Sequence, residues 1–295
     1  MKNKTNLKEG SVMDLATKEV ITMPPTTTIM NALKSMLKHN FRRVPIADAG
    51  TKRIEGIISA TDLVNFFGGG GKYKIVQERY NNNLPAAVNE EVEKIMEKDV
   101  ITVEYTDSWE DALELMLKKG VGGCPVVDRD DRVVGIITER DMLKFLAKHT
   151  ELDGFASDYM SKGVLTVKPN VTIEEAMKLM ISKKIRRLPV IDDGILIGLI
   201  TIREILRYFG SGEAFRMLIT GNIKDALDKP ISTILSNHEL LVYKEPLTFY
   251  SDVRISRIVE AMLEKNYGVA LILNDGKLEG IITEKDMLKF LYSKT

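Results

Sequence analysis

The sequence predicts an α/β protein of the α+β type, built from four copies of one β-α-β-β-α unit. Three observations carry that prediction. A seven-residue phrase recurs four times, each recurrence follows two short apolar runs joined by turn residues, and an amphipathic helical stretch precedes each of these hairpins. Self-similarity at a long period is the mark of a repeat architecture, and it outranks any local reading.

The phrase reads Gly56-Ile57-Ile58-Ser59-Ala60-Thr61-Asp62, then Gly135-Ile136-Ile137-Thr138-Glu139-Arg140-Asp141. It returns as Gly198-Leu199-Ile200-Thr201-Ile202-Arg203-Glu204 and as Gly280-Ile281-Ile282-Thr283-Glu284-Lys285-Asp286. The common pattern is glycine, two branched apolar residues, a hydroxyl residue, two variable residues and an acid.

The elements follow in order. Each unit is expected to open on a brief strand: Val20-Ile21-Thr22, Val100-Ile101-Thr102-Val103, Val164-Leu165-Thr166-Val167 and Leu240-Leu241-Val242. An amphipathic helix comes next, as in Trp109, Ala112, Leu113, Met116 and Leu117 at helical spacing. Ser108 with Asp111 and Thr172 with Glu175 have the spacing of capping boxes. The first hairpin strand is Val44-Pro45-Ile46, Cys124-Pro125-Val126-Val127, Leu188-Pro189-Val190-Ile191 or Ala270-Leu271-Ile272-Leu273. Turns such as Asp192-Asp193-Gly194 and Asn274-Asp275-Gly276 lead into the phrase, which is the second strand. A second helix follows the acid, as in Asp141-Met142-Leu143-Lys144-Phe145-Leu146.

The phrase glycines stand 79, 63 and 82 residues apart, a long-short-long rhythm that groups copy one with two and three with four. The repeats are placed at 10–68, 92–149, 155–210 and 230–293, with connectors at 69–91 and 211–229. The run Gly68-Gly69-Gly70-Gly71 reads as a turn in the first connector, because no Lys-Ser/Thr follows it as a phosphate loop requires. Trp109, Met36, Met116, Met180 and Met262 fall at equivalent helical places and are read as core.

Composition excludes several classes. Lys plus Arg and Asp plus Glu both number 42, so no excess of basic charge marks a nucleic-acid binder. The single Cys124 and the dispersed His39, His149 and His238 offer no metal spacing. No stretch has the length and apolarity of a membrane span, and MKNKTNLKEG lacks the apolar core of a signal peptide, so the protein is expected to be cytoplasmic. Motifs for a nucleophile, a catalytic metal or a Walker loop are missing, and no catalytic role or cofactor is expected.

The order of elements, the proline-led hairpin and the Gly-h-h-[Ser/Thr]-x-x-Asp phrase resemble the cystathionine-β-synthase (CBS) domain, over about residues 10–293. That resemblance implies CBS domains paired into two modules, which can assemble into a disc. Four copies without a catalytic domain resemble the γ regulatory subunit of AMP-activated protein kinase and its stand-alone prokaryotic relatives. The family likeness implies AMP, ADP or ATP as ligands, and an unidentified protein as the regulated partner. A homo-oligomer is compatible with it.

An ionised carboxylate can accept hydrogen bonds from both ribose hydroxyls, and helix-start N–H groups favour phosphate. The resemblance implies sites that join the early strand and pre-proline residues of one copy to the hydroxyl and acid of its mate. One site then combines Ile21, Arg42 and Arg43 with Thr138 and Asp141. Its counterpart combines Leu165, Arg186 and Arg187 with Thr283 and Asp286. A third joins Ile101, Val121 and Gly122 to Ser59 and Asp62 and lacks local arginines. The fourth relies on Glu204, with Leu271 where the other copies have proline, and is expected to be weak or empty. Arg140, Arg203 and Lys285 precede the acids and could reach phosphates. Two alternatives stay open: another adenosyl ligand such as S-adenosylmethionine or NAD, and a ligand-free interaction scaffold.

Overall fold

A computed structural model of the chain describes residues 10–210, 212–220 and 223–294. Residues 1–9, where no signal peptide is expected, and positions 211, 221 and 222 of the second connector lie outside the described residues.

Each copy folds as the pattern requires. The amphipathic helices are Ile29–His39, Trp109–Lys119, Ile173–Ser182 and Ile255–Glu264. Ser108 and Thr172 close the capping boxes expected of them. Trp109 and the four equivalent methionines are buried. The antiparallel hairpins are Arg43–Ala47 with Ile54–Ser59, Gly123–Val127 with Val133–Thr138, Arg187–Asp192 with Ile195–Thr201, and Val269–Asn274 with Lys277–Thr283. In all four a bulge falls just past the phrase glycine's partner. The last two hairpins turn through Asp193-Gly194 and Asp275-Gly276 with positive φ at both residues, the conformation that matches strand twist.

The early strand is shorter and later than the apolar runs suggest. Met23 and Val167 each make a single parallel bridge, to Ile46 and Val190, and Val103–Glu104 pairs with the second hairpin. In the fourth copy the strand is Thr248–Tyr250, and Leu240–Val242 takes no part in a sheet. Proline supplies the reason. Pro45, Pro125 and Pro189 have no N–H to offer residues 21, 101 and 165. Leu271 at the same place donates to the Leu247 carbonyl at 2.8 Å, and only there does the strand reach three residues.

A short lead before each early strand packs on the hairpin of the mate copy. Each lead turns helically, Val12 to Ala16, Val92 to Met96, Ala156 to Met160 and Ile231 to Leu235, through matching hydrogen bonds. A side chain on the phrase glycine would collide with the lead: its Cβ would lie 2.4 Å from Met96 at Gly56, 2.7 Å from Leu235 at Gly198 and 2.6 Å from Met160 at Gly280. At Gly135 the lead brings Ala16 and Met13 to 3.4 Å. The lead of copy one therefore lies on copy two and the reverse, and copies three and four exchange theirs likewise.

The chain forms two compact units. One, the odd unit, is Ile21–Val100 with Leu165–Glu245 and holds copies one and three. The even unit is Ile101–Val164, the stretch from Pro246 and the segment ending at Val20, and holds copies two and four. Each has its own apolar cluster, around Leu33, Phe66, Phe67 and Phe209 in the odd unit and around Trp109, Leu143 and Leu288 in the even one. The connectors are folded rather than bare: helical turns run through Asn65–Gly69, Gly71–Tyr73, Lys74–Tyr80 and Leu84–Ala87, with Val76, Leu84 and Ala87 buried.

Candidate functional site

The phrase puts a hydroxyl residue at the last position of a strand and at the N-cap of the helix that follows. Each acid then sits in the first helical turn and reaches back. Ser59 N–H and Oγ donate to Asp62 Oδ2 at 2.8 and 2.5 Å. Thr138 does the same to Asp141 at 3.0 and 2.5 Å, and Thr283 to Asp286 at 2.9 and 2.6 Å. Three reciprocal capping bonds, from the N–H of Asp62, Asp141 and Asp286, run at 3.3–3.4 Å. Thr201 N–H and Oγ1 likewise donate to Glu204 Oε2, across the extra methylene.

One carboxylate oxygen is therefore committed inside its own copy. Any diol must use the other, and there the copies diverge. Asp62 Oδ1 accepts from the Lys72 ammonium, which also donates to the Ile95 carbonyl. Glu204 Oε1 accepts from Val242 N–H at 2.9 Å, and Glu204 is fully buried. Among the described residues Asp286 Oδ1 has only Ser161 Oγ, at 3.3 Å. Among the described residues no donor outside Thr138 hydrogen-bonds Asp141. Burial pushes the Asp141 carboxyl above the usual carboxylate range. The Thr138 bonds and Lys144 pull it back, and Glu284 pushes it up.

The pre-proline pairs stand beside the hydroxyl residue of their own copy. Arg43 lies opposite Ser59, Gly123 opposite Thr138, Arg187 opposite Thr201 and Val269 opposite Thr283. The carbonyls of Arg42, Gly122, Arg186 and Gly268 each accept the first helical N–H of that copy, at 2.9–3.4 Å. Ile21 and Leu165 are 38% and 39% exposed, unusual for residues of that size and matched in position. Among the described residues no backbone N–H is donated to the carbonyls of Ile21, Ile101 or Leu165.

By unit, Ile21, Arg42, Arg43, Ser59, Asp62, Leu165, Arg186, Arg187 and Glu204 belong to the odd one. Ile101, Val121, Gly122, Thr138, Asp141, Thr283 and Asp286 belong to the even one. Each expected combination thus draws on both units. Two of the basic residues ahead of the acids, Arg140 and Arg203, are engaged inside their own units. Arg140 pairs with the buried Glu284 at 2.5 Å and with Asn266. Arg203 donates to Asn40 at 3.0 Å and to Tyr243 Oη at 2.9 Å.

Sequence reasoning missed the internal partners. Lys72 follows the glycine run and had no motif of its own. Leu240-Leu241-Val242, the expected early strand of copy four, instead carries the Val242 N–H that meets Glu204. A sign was there: Leu235 and Phe249 stand fourteen positions apart, against seven for Met96 and Val103 or Met160 and Val167. The fourth copy carries an insertion, and it is this inserted strap that meets Glu204, Arg203 and, through the Leu241 carbonyl at 3.0 Å, Arg207. The described residues hold no cluster of metal ligands, and no described helix is long and apolar enough to cross a membrane.

A repeated lead, strand, helix and hairpin closed by a capped acid defines the class, and the CBS domain matches the chain four times, over residues 12–69, 92–148, 156–211 and 239–293. The chain belongs to the CBS-domain family, as a regulatory module of four repeats. It is similar to protein MJ1225 of Methanocaldococcus jannaschii, 34% identical over 281 residues that cover 95% of this chain and 98% of the relative. The crystal structure of that protein, described as a proposed archaeal homologue of γ-AMPK, superposes with a TM-score of 0.89 at 33% identity, covering 95% of this chain and 99% of that one. An uncharacterised 33.4 kDa protein of Thermofilum pendens is 30% identical over 266 residues, 90% of this chain and 86% of its own.

Proposed function

We propose that the chain is a non-catalytic sensor of adenine nucleotides, AMP, ADP or ATP, that reports occupancy to a protein partner. The observation that carries this reading is the second carboxylate oxygen of Asp141 and of Asp286, each on a capped helix start, to which the described residues of the unit offer little or no further donor. A ribose diol supplies the two donors such an oxygen takes. Arg42-Arg43 and Arg186-Arg187 supply the cations that phosphates need. The exposed Ile21 and Leu165 offer apolar surface for adenine, with a backbone carbonyl that proline has left without a strand partner. The likeness to a protein described as a proposed γ-AMPK homologue supports the same reading.

Two principal sites follow: Ile21, Arg42 and Arg43 with Thr138 and Asp141, and Leu165, Arg186 and Arg187 with Thr283 and Asp286. The combination of Ile101, Val121 and Gly122 with Ser59 and Asp62 is secondary. The Glu204 position is weak or empty, because both of its oxygens already accept hydrogen bonds at a fully buried position and Leu271 has taken the Leu247 carbonyl of the mate copy. Regulation then requires that the nucleotides bind two conformations with different affinity. Titration calorimetry with AMP, ADP and ATP tests the assignment. Binding is expected in the parent protein and weakened at least about tenfold in the Asp141→Ala, Asp286→Ala double variant; equal affinity in both would reject it.

A further inference from the structure

The glycine run that resembles no phosphate loop has a different use. Gly68 takes φ 132°, open to glycine and strained for other residues. A Cβ on Gly69 would lie 2.9 Å from the Val64 carbonyl oxygen, and one on Gly70 would lie 2.7 Å from Asn65 Oδ1 and 2.9 Å from Ile181. Small size at these two positions lets the chain double back tightly on the helix that carries Asp62. Asn65 Oδ1 then accepts the Lys72 N–H at 2.8 Å and pins the backbone. From that anchor the Lys72 side chain reaches both Asp62 Oδ1 and the Ile95 carbonyl. Its side chain is 27% exposed and that of Asp62 18%.

We infer that Lys72 is an internal occupant of the Asp62 carboxylate, so that the third nucleotide combination is silent in the unmodified protein. The inference rests on the nucleotide reading above. Asp62 Oδ2 already accepts twice from Ser59, so ribose and ammonium compete for the one remaining oxygen. Displacing Lys72 also strips the Ile95 carbonyl of its donor. A charge-assisted hydrogen bond of this kind is worth enough to lower ligand affinity at least about tenfold. The opposite role, in which Lys72 supplies the phosphate cation that Gly122 and Gly123 do not, predicts the reverse effect of removing it.

The test uses AMP and the Asp141→Ala, Asp286→Ala background, where only Asp62 can answer. That background is expected to bind no AMP. Adding Lys72→Met creates one site, and adding Asp62→Asn removes it again. The inference is overturned if the background already binds one equivalent that Asp62→Asn abolishes. It is equally overturned if Lys72→Met adds nothing while the parent protein binds. Should the parent bind no AMP at all, the nucleotide reading falls and amine labelling judges Lys72 separately. Acetic anhydride should then modify Lys72 at least about tenfold more slowly than Lys98, which is 62% exposed. Protection should vanish in Asp62→Asn; equal labelling of the two lysines in the parent protein refutes the lock.

Discussion

The odd and even units carry the same phrase twice each, yet they cover its acid to different degrees. In the odd unit each acid meets a donor from elsewhere in that unit, Lys72 for Asp62 and the Val242 N–H for Glu204. In the even unit Asp286 meets one hydroxyl at 3.3 Å and Asp141 meets its own Thr138. All four acids accept from the N–H and hydroxyl of their own Ser or Thr, although Thr201 Oγ1 takes the N–H of Arg203 where the other three take that of the acid; the larger difference lies in what the chain lays over the second oxygen. A connector lysine and an inserted strap do so in one unit, where the described residues of the other offer only Ser161. The same helix start can thus serve as a closed structural joint or as an outward acceptor.

The largest consequence is for stability. Glu204→Ala leaves the N–H groups of Val242 and Thr201 without their acceptor and opens a cavity at a fully buried position. It should cost about 3 kcal/mol. Asp286→Ala removes only a half-exposed capping partner and should cost about 1 kcal/mol. Urea denaturation of the two variants measures the contrast, and equal losses would mean that Glu204 is not a joint.

A smaller effect isolates the strap. Tyr243→Phe deletes the hydroxyl that accepts from Arg203 and keeps the ring beneath its guanidinium, 5.4 Å from the centroid. A loss of about 1 kcal/mol is expected. Calorimetric unfolding checks it; no change would show that the Tyr243 hydroxyl does not hold the strap.

The smallest effect is one of pH. Because burial raises the Asp141 carboxyl above its ordinary 3.8, the folded protein binds that proton more readily than the unfolded chain. Between 3.8 and the raised value the folded state holds more protons, so this group makes stability fall as pH rises through that window. Asp141→Asn should remove that slope and be more stable than the parent above the window, read as the difference between the two urea midpoints across a pH series. A difference that does not vary with pH would refute the shift.

Much of the fold is legible in the chain. Four phrases, four amphipathic stretches and four hairpins are local patterns, and each reports a periodicity or a turn chemistry that the backbone must satisfy. The acids Asp62, Asp141, Glu204 and Asp286 are legible for the same reason, since a capping partner lies three residues from its cap. The early strands are less so. An apolar run marks burial but does not supply pairing, and proline in the neighbouring strand removed the donors on which Val20–Thr22 and Val164–Thr166 would have depended.

What the sequence by itself determined is the repeat, its capped acids and the expectation that the Glu204 position would be weak. Tertiary structure alone decided which acids are already spent. Lys72 lies ten residues from Asp62, and Val242 thirty-eight from Glu204, with no motif linking either pair. The partner of a carboxylate's second oxygen is chosen by whichever distant segment packs across it, and such a meeting leaves no period in the chain.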